Sequence, residues 1–382
     1  MKITFDAVPI CSDKMTGIGW CELGQTLALA GLYPENSYEY SFFTSGDKER
    51  IKRVKKLAGK KIKLNTSGFS GFAYRAASTF LPIPYSLFFG RKSELTHFFN
   101  YIVPPFVHGK KVVTVHDMVY KSFPDTVRGR TKYMLEMGLK RSMKRADLIV
   151  TDSEFSRSEI IKYFPQHESK IRVVPCGVDT ERFHPCDSPE RIPEVKKSLE
   201  IEGDYFLYVG TIEPRKNLER LITAYTAFVK KAGESSPKLV LAGGKGWLDQ
   251  GIYSRVEKLG MTEKIIFTKY VPSEDMNPLM CGALAFVFPS LYEGFGMPPL
   301  EAMACGVPVL SSGEASLPEV TGDCAVICDA YDPESIAEGM YRLYSSSELR
   351  EELSRKGIMR ARSFTWQRSA EMLMDVYREL VK

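Results

Sequence analysis

The stretch from Phe286 to Ser311 constrains the fold most, because a strand, a tight loop, a helix and a second strand follow one another within it. The apolar run at 283–288 predicts a buried strand. Pro298 and Pro299 suit the first turn of a helix, where a backbone N–H needs no partner. Gly306 predicts the end of that helix. Strands joined by a crossover helix pair in parallel, so the chain is expected to build α/β sheets.

Two carboxylates frame the loop of this stretch. Glu293 lies in the loop, and Glu301 lies about one turn into the following helix. Open α/β sheets bind ligands beyond the carboxyl ends of their strands, and carboxylates accept hydrogen bonds from sugar hydroxyls. Gly294 and Gly296 allow backbone N–H groups at the helix start to approach an anion. The alternative is an ordinary turn with packing glycines and solvated glutamates.

The segment SLYEGFGMPPLEAMACGVPV, which contains both glutamates, resembles the signature of retaining GT-B glycosyltransferases of family 4, also called group 1. The resemblance covers nearly the whole chain from Gly17 onward. It implies two doubly wound Rossmann-like α/β domains that face an interdomain cleft. The implied divisions are an acceptor-binding domain at 1–185, a nucleotide-sugar-binding domain at 186–363, and a helix at 364–382 that packs back on the first domain.

Length and charge agree with two domains of unequal character. The chain has 382 residues, which suits two domains of ordinary size. Residues 1–185 carry 29 Lys and Arg against 18 Asp and Glu, a net charge of +11, whereas the remainder carries 23 against 29, a net charge of −6. The first part is therefore expected to face an anionic partner. No nucleic-acid-binding motif is present, so nucleic acid is not expected.

A basic and aromatic region in the first half indicates an interfacial surface. Nine basic residues lie between Lys48 and Lys63, and the segment FSGFAYRAASTFLPIPYSLFFGRK that follows mixes aromatic with basic side chains. This composition predicts peripheral contact with an anionic membrane, with the lining of an acceptor cleft as the alternative. No apolar run is long enough to span a bilayer, and the N-terminus does not resemble a signal peptide. A cytoplasmic protein, peripheral at the inner face of the membrane, is expected.

Cysteine and histidine spacing indicates no metal site. The eight cysteines form no CxxC pair, and only five histidines are present. Reduced, mostly buried thiols are expected. The sequence also contains no DxD motif, so the resemblance implies transfer without a metal ion or other cofactor.

Two places in the first half carry candidate site residues. Gly17 and Gly19 stand just before a predicted helix, which is a weak phosphate-loop signal. His116 and Asp117 follow a short apolar strand predicted at 111–115. The resemblance places the glycines near the donor diphosphate and the acceptor, and it makes His116 a contact of the donor sugar, with Asp117 beside it. A helix-start turn and a structural histidine are the alternatives.

The second half offers a cationic pair and a base pocket. Arg215 and Lys216 follow a strand predicted at 205–209, and two cations at a helix start suit a diphosphate. The resemblance assigns them that role, and solvated charges are the alternative. Backbone groups at strand ends commonly line a base pocket in this fold, although core and turn roles explain these residues nearly as well. The residues expected to contact the base are Gly243, Tyr270 and Val271.

The implied reaction transfers a hexose from a nucleotide diphosphate donor with retained anomeric configuration. In it, Glu293 binds the hexose and Glu301 binds the ribose. The residues assigned to catalysis are His116, Arg215, Lys216 and Glu293. The backbone groups expected to orient the sugar belong to Gly294, Phe295 and Gly296.

The donor is expected to be GDP-mannose, because GTIEPRKNL and LYEGFGMPPLEAMACGVPV most resemble bacterial mannosyltransferases that build polysaccharides, with a saccharide or lipid-linked acceptor. UDP-glucose and UDP-GlcNAc stay open as donors. Hydrolysis by two carboxylates is disfavoured by the cationic pair. A nucleotide-sugar 2-epimerase would need a cluster of acidic and histidine bases that the sequence does not show. A protein that binds a sugar nucleotide without transferring the sugar would be expected to have lost these motif residues, and here they are intact.

Overall fold

The structure is a computed structural model that describes residues 1–13, 15–244 and 250–381. The chain divides into two compact units. Unit 1 comprises Met1–Gly177 and Phe364–Lys382, and unit 2 comprises Val178–Ser363. The chain therefore leaves the first unit after Gly177. The boundary expected from the sequence lies later, after Pro185.

Each unit is built on a parallel sheet, with seven strands in unit 1 and six in unit 2 among the described residues. The strand orders are β3-β2-β1-β4-β5-β6-β7 and β10-β9-β8-β11-β12-β13. The strands of unit 1 are β1 (Lys2–Asp6), β2 (Ser37–Phe43), β3 (Ile62–Ser67), β4 (Leu95–Phe98), β5 (Lys110–Thr114), β6 (Leu148–Thr151) and β7 (Ile171–Val173). The strands of unit 2 are β8 (Tyr205–Val209), β9 (Lys238–Ala242), β10 (Ile265–Lys269), β11 (Ala285–Phe288), β12 (Val309–Ser312) and β13 (Ala325–Cys328).

Helices connect the consecutive strands of each sheet, except that residues 99–109 join β4 to β5 without a helix. Both units therefore have the doubly wound α/β architecture that the sequence predicts. The helices that precede β8 are α1 (Gly17–Leu32), α2 (Lys48–Ala58), α3 (Gly71–Phe80), α4 (Ser86–Phe89), α5 (Val119–Ser122), α6 (Gly129–Arg145), α7 (Glu154–Tyr163) and α8 (Arg191–Ser198). Those that follow it are α9 (Leu218–Ala232), α10 (Gln250–Lys258), α11 (Ser273–Cys281), α12 (Met297–Ala304), α13 (Leu317–Thr321), α14 (Pro333–Ser345), α15 (Ser347–Ala361) and α16 (Trp366–Leu380).

The central strands are buried on both faces, as expected for parallel sheets covered by helices. All four residues of β4, β6, β11 and β12 are buried. Among them, β11 lies within the apolar run at 283–288, which is why the sequence predicted a buried strand there. The carboxyl ends of the strands in each sheet lie at one edge, and the residues that follow them are therefore brought together.

The C-terminal helix α16 belongs to unit 1 and packs against α1. A Cβ atom added to Gly24 of α1 would lie 2.3 Å from the Trp366 ring, so only glycine lets the two helices approach this closely. Gln25 Nε2 donates a hydrogen bond to Ser369 Oγ at 2.9 Å, and that hydroxyl donates to the Pro175 carbonyl at 2.6 Å. The last helix thus closes the core of the first unit.

The start of α1 differs from the sequence interpretation. Helix α1 begins at Gly17, so Gly17 and Gly19 lie in its first turn rather than before it. Helix α7 begins at Glu154, and Ser153 caps it by accepting a hydrogen bond from the Ser156 N–H. Serine is a strong cap at this position because its hydroxyl satisfies a backbone N–H of the first turn.

Nowhere in the described parts of the chain does a helix combine the length and the apolar character needed to cross a bilayer. All eight cysteines lie among the described residues; each is a free thiol, and six of them are buried.

Candidate active site

The loop between β11 and α12 is held in a fixed conformation at the carboxyl edge of the second sheet. Gly296 precedes α12 with a φ of 115°, a conformation that L side chains rarely adopt, and a Cβ there would lie 2.8 Å from Leu317. Ser316 Oγ donates to the carbonyls of Glu293 and Phe295 at 2.9 and 2.8 Å. The predicted loop and helix are confirmed, including Gly306, whose φ of 74° follows the end of α12.

Glu293 is the centre of a buried ionic cluster. Its Oε1 accepts from Lys216 Nζ at 2.6 Å and from Ser290 Oγ at 2.7 Å. Its Oε2 accepts from Arg215 Nη1 at 2.9 Å. Glu213 forms a second ion pair with Arg215, whose Nε lies 2.6 Å from Glu213 Oε1. Three residues predicted separately therefore meet, and two further residues complete the cluster.

The charges of this cluster depend on one another. Glu293 is only 7 % exposed and Lys216 only 6 %. Burial alone would raise the pKa of Glu293, but Arg215 and Lys216 outweigh burial and hold it at about 2. Burial and the neighbouring Arg215 lower the pKa of Lys216, while Glu293 opposes that shift. The Lys216 ammonium also lies 4.9 Å from the centre of the Phe288 ring.

The cluster places two cations at the strand ends of unit 2. Arg215 and Lys216 belong to a short 3₁₀ turn after β8, and Asn217 follows with a φ of 63°. The Asn217 side chain donates to the carbonyls of Pro289 and Ala330 at 2.9 and 2.6 Å, so it fastens the turn to the neighbouring loops instead of capping α9. Cations held this rigidly can receive the charge of a diphosphate without reorganising.

Glu301 lies on α12 in a different electrostatic environment. It is half-buried, and burial together with the nearby Asp179 raises its pKa to about 7, although Arg182 opposes the shift. The two glutamates of the motif therefore differ in charge state near neutral pH: Glu293 is fully ionised, while Glu301 titrates. Such divergence between paired carboxyls is common at functional sites.

The residues predicted to contact a base have different environments. A Cβ on Gly243 would lie 1.9 Å from the Gly210 carbonyl oxygen, and the Gly243 N–H already donates to the Lys269 carbonyl at 2.9 Å. Val271 is buried in the core, whereas the Tyr270 side chain is 56 % exposed. Gly243 thus allows the backbone at Gly210 to approach closely, whereas Tyr270 presents its ring to solvent.

In unit 1, His116 lies at the carboxyl edge of the sheet with both ring nitrogens bonded. Nδ1 is 2.6 Å from Asp152 Oδ2, and Nε2 is 2.7 Å from the Phe99 carbonyl oxygen. Burial opposes the charged form, but Asp152 and the Phe99 carbonyl outweigh burial and raise the pKa of His116. Asp117 accepts hydrogen bonds from the Tyr101 hydroxyl and the Val119 N–H, both at 3.1 Å.

The glycines of the first unit have distinct surroundings. Gly17 is exposed at the start of α1, while Gly19 is buried and a Cβ there would lie 2.9 Å from the Pro9 carbonyl oxygen. Gly19 therefore has a packing reason to be glycine, and Gly17 leaves the helix start accessible.

Sequence reasoning missed four side chains that organise these sites. They are Asp152, Glu213, Ser290 and Ser316. Asp152 directly follows β6, the same position that drew attention to His116 after β5, so the signal was present in the sequence. Ser290 and Ser316 donate hydrogen bonds to Glu293 and Phe295 in the loop between β11 and α12. These contacts are visible only in the folded chain.

Comparison with known proteins identifies the family. Residues 191–360 match the family described as glycosyl transferases group 1, and residues 27–182 match Glycosyltransferase Family 4. The chain is 35 % identical over 290 residues to the O-antigen chain mannosyltransferase B of Escherichia coli, covering 76 % of this chain and 75 % of that protein. The chain therefore belongs to the group 1, family 4 glycosyltransferases.

Solved structures with the same fold support this placement. Sucrose-phosphate synthase from Thermosynechococcus elongatus superposes with a TM-score of 0.73 at 18 % identity, covering 100 % of this chain and 99 % of that one. Anabaena HepE in complex with UDP and glucose gives a TM-score of 0.74 at 14 % identity, covering 100 % of both chains. At these identities the likeness shows the fold, which is that of the GT-B neighbours.

Proposed function

We propose that this glycosyltransferase transfers mannose from GDP-mannose to a saccharide or lipid-linked acceptor in bacterial polysaccharide synthesis, with retention of anomeric configuration. The observation that supports the donor most directly is the 35 % identity to an O-antigen chain mannosyltransferase over three quarters of both chains. The buried cluster around Glu293 supports the reaction class, because it fixes two cations that can stabilise a departing nucleotide diphosphate.

The proposed chemistry depends on stabilising the leaving group. The bond between the anomeric carbon and the diphosphate oxygen breaks, a bond to the acceptor oxygen forms, and the acceptor proton leaves with the diphosphate. Arg215 and Lys216 stabilise the charge that develops on the diphosphate. Glu293 positions both cations through its two oxygens. The backbone from Gly294 to Gly296 orients the hexose.

Glu301 is proposed to accept hydrogen bonds from the ribose hydroxyls. This role requires the ionised carboxylate, since a protonated carboxyl offers fewer acceptor sites. A pKa of about 7 makes that state dependent on pH in the neutral range. Nucleotide binding is therefore expected to be stronger above neutral pH than below it.

Metal independence is part of the proposal. Arg215 and Lys216 supply the positive charge that a divalent ion supplies in other phosphoryl and diphosphate sites. Transfer is expected to proceed without added Mg²⁺ or Mn²⁺, and adding either ion is expected to change the rate less than twofold. A strict requirement for an added divalent ion would contradict this part of the mechanism.

The direct test is a transfer assay with purified protein and a panel of mannose-terminated acceptors. GDP-mannose, UDP-glucose and UDP-GlcNAc are supplied in parallel, and the product linkage is read by NMR. The proposal expects turnover of GDP-mannose and an α-linked product. Turnover of a UDP-sugar but not of GDP-mannose would contradict the proposed donor. A β-linked product would contradict retention of the anomeric configuration.

A second partner, an anionic membrane, is proposed for unit 1. Several large apolar side chains are exposed on or near α3, α4 and α6, and α6 with its preceding residue carries seven basic residues against Glu136. The Arg130 guanidinium lies 4.8 Å from the Phe72 ring centre, so α3 and α6 meet. We name this the apolar-basic face; its exposed apolar members are Phe69, Phe72, Leu81, Leu87, Phe106, Tyr133, Met134 and Met137.

The apolar-basic face has the chemistry of a lipid interface. Exposed aromatic and aliphatic side chains insert among acyl chains, while Lys and Arg attract anionic headgroups. A cavity of about 580 Å³ opens in it, with Leu81 and Phe106 on its walls beside Arg141 and Arg145. The sequence pointed only to residues before position 93, so the contribution of α6 is a structural addition to that prediction.

A further inference from the structure

Three potential metal ligands meet inside unit 1, and none of them belongs to the ionic cluster around Glu293. Cys21 comes from α1, Asp152 directly follows β6, and Cys176 lies beyond β7 near the end of the first segment of unit 1. One ligand atom from each lies within 4.8 Å of the others, and all three residues are buried. The two sulfur atoms are 3.0 Å apart, with Cys176 donating to Cys21. We call these residues the thiol-carboxylate cluster.

A second observation also indicates a ligand at this cluster. Asp152 is only 4 % exposed, yet its Oδ1 has no hydrogen-bond partner among the described residues. A buried carboxylate oxygen without a protein partner is costly, and such groups are rare unless a ligand, an ion or an ordered water satisfies them. Its other oxygen, Oδ2, bonds His116 Nδ1 at 2.6 Å, which fixes the carboxylate in place. Carboxylates that bind a metal are themselves hydrogen-bonded by outer-sphere groups, a position that the His116 ring occupies here.

We propose that Cys21, Asp152 and Cys176 bind one zinc ion that stabilises unit 1. Two sulfurs and one carboxylate oxygen suit Zn²⁺, and a water molecule would complete the tetrahedron, as it does in zinc sites that have three protein ligands. Two sulfurs on a tetrahedral zinc lie about 3.8 Å apart, so the thiols need to separate by less than about 1 Å. Binding forms two Zn–S bonds and one Zn–O bond to Asp152 in place of water ligands of the hydrated ion, and it releases both thiol protons to solvent, with no change of oxidation state.

A disulfide is the competing use of the same sulfur atoms. It would remove two electrons and two protons, and it would need an oxidant such as oxidised glutathione. A Cys21–Cys176 disulfide would leave Asp152 Oδ1 without a partner, whereas a zinc ion satisfies all three residues at once. The metal therefore accounts for more of what the structure shows.

The expected consequence is structural and does not depend on the proposed transfer reaction. The ion would join α1 to the ends of β6 and β7, close to the point where the chain leaves unit 1. A ligand that binds only the folded state raises its stability by mass action. Zinc is thus expected to raise the melting temperature of the intact protein by a few degrees.

The test uses the full-length protein, stripped of metal by a strong chelator under a phosphine reductant and titrated with Cd²⁺. We expect one equivalent to bind with a thiolate-to-cadmium absorption band. Cys21→Ser and Cys176→Ser are expected to abolish the band, and Asp152→Asn to weaken binding at least tenfold. The matched control is Cys281→Ser, which removes a thiol of unit 2 and is expected to leave the band unchanged.

Several results would overturn the proposal. They are no band in the reduced wild-type protein, a band that survives in both serine variants of unit 1, or a Cys21–Cys176 disulfide found by mass spectrometry in the protein as purified, before reductant is added. Because the serine variants could fail to fold, X-ray absorption at the zinc edge of the wild-type protein gives an independent answer. Two sulfur ligands are expected, and four sulfurs or none would contradict the assignment.

Discussion

The Lys216 ammonium and the Glu293 carboxylate lie 2.6 Å apart, and both side chains are more than nine-tenths buried. A buried ion pair of this kind is weak evidence for stability as such, because desolvation offsets the attraction. The ion pair matters here because it fixes the positions of the groups that it joins. The pair joins the turn after β8 to the loop after β11, and it fixes the cation that we assign to the diphosphate.

Removing one partner of this pair is expected to destabilise the protein strongly. Glu293→Gln leaves the buried Lys216 without its counter-charge, which should lower the free energy of unfolding by about 3–5 kcal/mol. Urea denaturation followed by circular dichroism measures the change. The control is Glu338→Gln, since Lys231 and Glu338 form an exposed pair at 2.7 Å whose loss should cost less than about 1 kcal/mol. Equal effects of the two substitutions would contradict a buried role for Glu293.

The same carboxylate should influence stability at acid pH. The folded-state pKa of Glu293 is about 2, below its ordinary value of 4.5. The stabilisation is therefore complete above pH 4.5 and is lost as the pH falls from 4.5 towards 2. The difference in unfolding free energy between the wild-type protein and Glu293→Gln should shrink over this interval. A difference that stays constant down to pH 2.5 would contradict the assigned shift.

Glu301 should couple nucleotide binding to pH in the neutral range. GDP affinity of the wild-type protein is expected to fall as the pH drops from 8 to 6, because protonation removes the charged acceptor. Glu301→Gln should bind GDP about tenfold more weakly at pH 8, a loss of about 1.4 kcal/mol. Comparing the two proteins by calorimetry at each pH cancels the titration of GDP itself. Parallel pH profiles would contradict the role of Glu301.

The stability effect of the same substitution has the opposite sign. Burial raises the folded-state pKa of Glu301 from 4.5 to about 7, so the charged form is penalised and stability falls as the pH rises through this range. Glu301→Gln should therefore be more stable than the wild-type protein at pH 8, by about 1–3 kcal/mol. Thermal denaturation without ligand measures this, and a destabilised variant would contradict it.

The close approach of β8 and β9 gives a prediction with an internal control. Gly243→Ala would place a Cβ 1.9 Å from the Gly210 carbonyl oxygen, a backbone atom that cannot move aside freely. We expect a loss of at least about 3 kcal/mol, because overpacking against backbone forces the two strand ends apart. At the adjacent Gly244 a Cβ meets nothing within 4 Å, so Gly244→Ala should change stability by less than about 1 kcal/mol. Similar melting temperatures for the two variants would contradict the packing described.

The apolar-basic face is expected to bind anionic vesicles. Co-sedimentation with phosphatidylglycerol-containing vesicles should decrease severalfold in the double variant Phe72→Ser, Leu87→Ser, whose native side chains are 66 % and 72 % exposed. Met359→Ser in unit 2 is the control, since Met359 is equally exposed at 73 % but lies in the other unit. Binding that is unchanged between neutral and anionic vesicles, or between the two variants, would contradict membrane contact.

Sequence patterns predicted the elements better than the contacts between side chains. The strand at 205–209 and the helix end near Gly306 were predicted correctly, because an apolar run and a glycine determine the backbone structure of the residues beside them. The start of α1 was placed after Gly19 although the helix begins at Gly17, since glycine is compatible with a turn and with a first helical turn. The partnership of Glu293 with Arg215 was not predictable, because it joins residues 78 positions apart along the chain. Asp152 was missed although it occupies the same kind of strand end as His116.

We propose that unit 2 binds a guanine nucleotide diphosphate through Arg215, Lys216 and Glu301. The most direct measurement is a thermal-shift titration, without added metal, of GDP, UDP, ADP and TDP against the wild-type protein, Glu301→Ala and the control Gly244→Ala. Stabilisation by GDP alone is expected in the wild-type protein and the control, with its loss in Glu301→Ala. Stabilisation by UDP alone would contradict the GDP-mannose donor, and no response to any of the four nucleotides would contradict the site itself.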